Sequence, residues 1–85
     1  MIQFSYTVKD GAGIHARPAG ALIKLVRDSK SRVTVKKDGK EADAAKIFTL
    51  MALGVKCGDT VIVEIEGEDE EMLAANLKTY MQENL

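Results

Sequence analysis

The stretch RVTVKKDGKEAD, residues 32–43, decides the architecture. Val33 and Val35 alternate with Arg32, Thr34 and Lys36, the period-two pattern of a strand with one buried face. Asp38-Gly39 follows, a dipeptide that favours the tight two-residue hairpin. The chain then returns as a short strand from Lys40 to Asp43, and the lysines on both arms suit an exposed sheet edge. An antiparallel hairpin lying between helical segments points to an α+β arrangement.

Toward the N-terminus, Ala19, Leu22, Ile23 and Val26 fall on one face at helical spacing, with Arg17, Gly20, Ala21, Lys24 and Arg27 on the other. Before them, Gly11-Ala12-Gly13 ends a first strand in which Ile2, Phe4, Tyr6 and Val8 alternate with Gln3, Ser5, Thr7 and Lys9. On the C-terminal side the spacing predicts a short helix from about Ala45 to Leu53, with Gly54 placed to end it. Thr60 to Glu66 reads as a strand, and Ile62 among the polar residues of its second face marks it as central. Gly67-Glu68-Asp69-Glu70-Glu71 sets acidic groups at the start of a last helix, whose buried stripe is Leu73, Leu77, Tyr80 and Met81. The order β-α-β-β-α-β-α predicts an α+β open-faced sandwich: a four-stranded antiparallel sheet with three helices on one face. With 85 residues, no repeat and no linker, a single domain spanning 1–85 is expected.

At 46% hydrophobic and 29% charged residues the chain can close one small core. A net charge of −1 gives no global basic field for nucleic acid or anionic lipid, and 5% aromatic residues argue against an RNA-binding sheet. The single Cys57 cannot form an internal disulfide and reads as a packing residue, which suits a reducing, cytoplasmic setting. No apolar run approaches the roughly 20 residues that span a bilayer. The opening MIQFSYTVKD also lacks a signal peptide's basic and apolar regions, so export and membrane insertion are not expected.

The chain holds one histidine, His15, between the glycine-bearing loop and the first turn of a helix. A helix N-terminus offers unpaired N–H groups and partial positive charge, so it can hold an anion attached to a side chain at its entrance. Ala16 and Arg17 supply those donors, and Pro18 stiffens the first turn where its missing N–H is not required. Arg17 adds a planar cation that matches phosphate oxygens. An imidazole nucleophile, a guanidinium and a helix terminus together are what a transient phosphohistidine needs. By composition alone, though, a lone histidine at such a junction is ordinarily a surface or capping residue. Metal ligation is disfavoured, because there is no second histidine and Cys57 has no CxxC partner. A Ser-His or Cys-His pair is a minor option without a partner motif.

The run Gly13-Ile14-His15-Ala16-Arg17-Pro18-Ala19 resembles the phosphorylation-site signature of HPr, the histidine-containing phosphocarrier of the bacterial phosphoenolpyruvate:sugar phosphotransferase system. Lys46-Ile47-Phe48 through Met51-Ala52-Leu53-Gly54 is similar to that family's second helix, and the length and Gly67-Glu68-Asp69-Glu70 also fit. The resemblance implies a carrier without turnover of its own and without a cofactor or metal. Enzyme I, charged by phosphoenolpyruvate, would phosphorylate His15 at Nδ1, and sugar-specific IIA components would take the group. Arg17 would neutralise charge on the group in transfer, with the backbone N–H groups of Ala16 and Arg17 steadying the phosphorylated form. A cytoplasmic monomer is the matching expectation.

A wheel of the second helix places Phe48 and Met51 near Ile47, with Leu50 and Leu53 turned to the other side. Either all five are buried, or Leu50 and Leu53 face the core while Ile47, Phe48 and Met51 form an exposed docking patch. Met and Phe suit a surface that must fit several partners in turn. Arg17, Lys24 and Arg27 on the first helix would border that patch and steer acidic partner surfaces, unless they form only a solvated face, with Gly20 among the partner-binding positions. One position departs from the family pattern: Lys46 stands where HPr proteins under regulatory phosphorylation have a serine, so the resemblance implies no control by an HPr kinase there. Thr49, a turn later, is a poor substitute. The rival reading is an HPr-like regulatory protein that docks partners without carrying phosphate.

Overall fold

The computed structural model describes residues 1–85. Its elements are β1 (Ile2–Thr7), α1 (Ala16–Arg27), β2 (Ser31–Lys37), β3 (Lys40–Asp43), α2 (Ile47–Met51), β4 (Thr60–Gly67) and α3 (Glu70–Asn84). The four strands form one antiparallel sheet in the order β1-β4-β2-β3. This is the α+β open-faced sandwich that the element order predicts.

The hairpin forms as its dipeptide dictates. Asp38 and Gly39 both take positive φ, 50° and 80°, and Lys37 pairs with Lys40 across the two-residue turn. That turn places β3 on the edge of the sheet. β4 is central, with Val63 opposite Phe4 of β1 on one side and Val35 of β2 on the other. Val33, Val35, Ala42, Val61, Val63 and Ile65 bury one face of the sheet against Leu22, Ile23, Val26, Leu50, Leu73 and Leu77 from the helices. Ile62, on the opposite face, stays 38% exposed. No helix is long and apolar enough to cross a membrane.

Two elements differ from the sequence expectation. α2 spans five residues, Ile47–Met51, rather than about Ala45 to Leu53. Asp43 explains its late start: Oδ1 accepts the Ala45 N–H at 2.9 Å and its carbonyl accepts the Lys46 N–H at 3.1 Å, holding residues 44–46 in a turn. At the far end the Leu53 and Gly54 N–H groups reach back only three residues, to the Leu50 and Met51 carbonyls, which tightens and closes the last turn. In α3 the buried stripe is Leu73, Ala74, Leu77 and Met81, whereas Tyr80 is half-buried at its margin. Tyr80 leaves the stripe because its hydroxyl donates to the Pro18 carbonyl at 2.8 Å and needs a polar partner.

The end of α3 is fastened to the start of the chain. The Tyr6 hydroxyl donates to the Met81 carbonyl at 2.9 Å, and the Leu85 carbonyl accepts the Lys9 and Asp10 N–H groups at 2.6 and 2.8 Å. The loop between β1 and α1 thus lies between the sheet and the last turn of α3.

Candidate functional site

Gly13 sets the entry to the site. Its φ is +67°, and a Cβ there would press into the Val55 carbonyl oxygen and stand 2.8 Å from Lys56 Cα. This close approach lets the Ile14 N–H donate to that same carbonyl at 3.1 Å and buries the Ile14 side chain. His15 comes next with extended backbone, φ −121° and ψ 173°, as the N-cap of α1.

A Ser, Thr, Asp or Asn at an N-cap turns its side chain back onto the helix. The His15 side chain makes no capping hydrogen bond and is 41% exposed. The first intrahelical donor is Ala19, which reaches the His15 carbonyl at 2.9 Å. Pro18 has no N–H, so Ala16 and Arg17 hold the two free donors of the terminus, and neither finds an acceptor within the protein. No acidic side chain occupies the first turn. The helix's own first turn therefore does nothing to offset its positive end, and Arg17 is exposed beside it. Geometrically, this is a place for an anion carried on the imidazole.

A shallow cleft of about 320 Å³ opens at this point, lined by Asp10, His15, Arg17, Pro18, Ala21, Tyr80 and Asn84. Asp10, Tyr80 and Asn84 join the site although none is among the residues singled out from the sequence. Asp10 Oδ2 faces His15 Nε2 at 3.8 Å, while Oδ1 accepts the Ala12 N–H at 2.8 Å. Tyr80 forms the wall, its phenol pKa pushed up by burial and its proton engaged by Pro18. Asn84 donates from Nδ2 to the Tyr80 carbonyl at 3.0 Å, steadying the same turn. An Asx turn before a Gly-Ala-Gly loop was the available sign for Asp10; Tyr80 and Asn84, remote in sequence, carried none.

The residues singled out for docking divide by exposure. Phe48 is 88% exposed, Leu50 and Leu53 are buried, and Ile47 and Met51 lie half-buried against the core. Of the two sequence alternatives, α2 takes the one with two distinct apolar faces. Gly20, Lys24 and Arg27 are exposed on α1. The guanidinium of Arg27 is also tied inward, its Nε donating to the Ala45 carbonyl at 2.8 Å and linking α1 to the approach to α2. Lys46 is the exposed N-cap of α2 and makes no side-chain capping bond.

A family model described as the phosphorylation site of the phosphotransferase-system HPr component matches residues 2–83. The chain belongs to the HPr family. Among individual HPr relatives, the phosphocarrier protein HPr of Borreliella burgdorferi is 32% identical over 77 residues, covering 91% of this chain and 90% of the relative. The HPr-like protein Crh of Bacillus subtilis is 35% identical over 85 residues and the full length of both chains. A solved structure of a histidine-containing phosphocarrier protein from Mycoplasma superposes with a TM-score of 0.92 at 28% identity, covering 96% of this chain and 93% of that one. The HPr fold is thus common to this chain and its relatives, with both phosphocarriers and an HPr-like protein among them.

Proposed function

We propose that this chain is a covalent phosphoryl carrier, without turnover of its own, that accepts a phosphoryl group on His15 from phosphorylated enzyme I and passes it to IIA components of a sugar phosphotransferase system. The observation that carries this reading is the placement of His15: an exposed imidazole, not used for capping, at a helix terminus whose two free N–H groups meet no internal anion. Family membership supports the same chemistry.

The attacking atom is Nδ1, and the incoming phosphoryl group gains the Ala16 and Arg17 N–H groups and the Arg17 guanidinium as partners. All of these are exposed to water, which keeps each contact modest; a carrier must release what it accepts. A phosphate brings roughly −1.5 to −2 charges if ordinary phosphoester values apply, enough to change partner preference at a small interface. Partners dock over Ile47, Phe48 and Met51 and against Gly20, with Arg17, Lys24 and Arg27 at the border meeting acidic surfaces. Lys46 offers no hydroxyl, so a kinase acting on a serine at the start of α2 has no substrate at this position.

Intact-mass measurement after incubation with phosphoenolpyruvate and enzyme I tests the proposal. One acid-labile phosphoryl group that is absent from His15→Ala supports it; no gain with the cognate enzyme I sinks it. A second reading, a regulatory protein acting by docking alone, draws on the exposed Phe48 and on the similarity to Crh along the whole chain. It requires that His15→Ala leave every partner effect intact.

A further inference from the structure

We infer that Asp10 is a positioning residue for the reaction at His15: its carboxylate holds the imidazole proton on Nε2 and so keeps the lone pair on Nδ1. The inference rests on the carrier reading above and adds to it a residue outside the Gly13 to Ala19 run.

Asp10 is fixed from several directions. Its Oδ1 accepts the Ala12 N–H at 2.8 Å, its carbonyl accepts the Gly13 N–H at 2.9 Å, and its own N–H donates to the Leu85 carbonyl at 2.8 Å. The carboxylate cannot turn away without breaking the turn that delivers Gly13. The second oxygen, Oδ2, is left facing His15 Nε2 at 3.8 Å. That is longer than a hydrogen bond, and a small rotation of the half-exposed ring closes it. A carboxylate only accepts, and a neutral imidazole carries one N–H, so this contact selects the tautomer protonated at Nε2. Nothing else lining the cleft competes for that proton as an anion. Arg17 has no acceptor, the Tyr80 hydroxyl donates to Pro18, and Asn84 donates to Tyr80.

In transfer, the Nδ1 lone pair attacks phosphorus; the Nδ1–P bond forms as the bond from donor to phosphorus breaks, and the electron pair of that bond leaves with the donor. The proton stays on Nε2, and the ring takes a positive charge that faces Asp10. When the group is handed on, the electron pair of the Nδ1–P bond returns to Nδ1, and the starting tautomer is restored without a proton having moved.

The test is Asp10→Asn. Its amide oxygen keeps the bond to Ala12, while its NH₂ faces Nε2 as a donor and favours the opposite tautomer, with the proton on Nδ1. Long-range ¹H–¹⁵N spectra of the His15 ring read the tautomer ratio directly, and the Ala12 amide resonance reports whether the turn survives. A half-exposed pair of this kind has a limited effect, so the expected shift is about two- to fivefold toward the Nδ1-protonated form. The rate of phosphoryl uptake should fall in proportion. Asp10→Ser, which keeps an acceptor for Ala12 but puts nothing opposite Nε2, should give an intermediate ratio. A ratio in Asp10→Asn equal to that of the unaltered protein, with the turn intact and phosphoryl uptake by the unaltered protein normal, overturns this inference alone. Failure of the unaltered protein to take up phosphate overturns the carrier reading and the mechanistic role of Asp10 together.

Discussion

At Gly13 an added methyl group would drive into the Val55 carbonyl, and φ of +67° already disfavours any side chain. At Gly20, in the middle of α1, nothing lies within 4 Å of the same addition. Gly13→Ala is therefore expected to cost about 1–3 kcal/mol from backbone strain, before the clash is counted. Gly20→Ala is expected to stabilise by about 0.5–1 kcal/mol, through helix propensity. Urea unfolding curves for the two variants should move in opposite directions. Tyr80→Phe removes one hydrogen bond, a loss of about 0.5–1.5 kcal/mol, and frees the wall of the cleft beside His15. His15 and Arg17 were legible because their chemistry shows within a few residues of sequence. Tyr80 was not: its partner Pro18 lies 62 residues away, and nothing near Tyr80 in the chain announces a hydrogen bond at that distance.

α2 is held at its start by Asp43 rather than by a cap of its own, since Lys46 occupies the N-cap and makes no side-chain bond there. Lys46→Ser supplies a capping oxygen, and thermal or urea unfolding should show a gain of about 0.5–2 kcal/mol. Phe48 faces solvent, so Phe48→Ala should leave the unfolding midpoint nearly unchanged while weakening binding to enzyme I in titration calorimetry. Equal losses of stability and binding would make Phe48 a packing residue instead. The hairpin was readable to the residue because Asp38-Gly39 fixes its own register. The bounds of α2 were not, because periodicity continues smoothly through Ala45 and Leu53 while the Asp43 turn and the short closing bonds decide where the helix stops.

Across the molecule, two half-buried carboxylates tie distant segments together. Asp59 accepts from Lys37 Nζ at 2.9 Å and from the Lys56 N–H, joining the loop before β4 to the hairpin arm. Asp69 accepts from the Ser31 hydroxyl and the Lys30 N–H, joining the start of α3 to the start of β2. These bonds hold both carboxyl groups below the usual carboxylate range, with the Lys37 bond foremost for Asp59 and the Ser31 bond for Asp69. A pKa depressed in the folded state contributes stability that is complete above the unfolded value, near 4, and is lost as pH falls through the folded value. The urea midpoint should thus hold steady above about pH 5 and drop on the acid side. Asp59→Asn and Asp69→Asn should each flatten that acid limb; an unchanged limb would remove the assigned carboxylate from the account.

The strand order has a consequence for how the protein is made. β1 pairs only with β4, so the first strand of an emerging chain has no neighbour until residues 60–67 have left the ribosome. The His15 loop is fully clamped later still, because besides Val55 it needs Tyr80 and Leu85 at the end of α3. The geometry around His15 is therefore completed only once residues 80–85 have been added, and a nascent chain stalled before that exposes the histidine without its cleft.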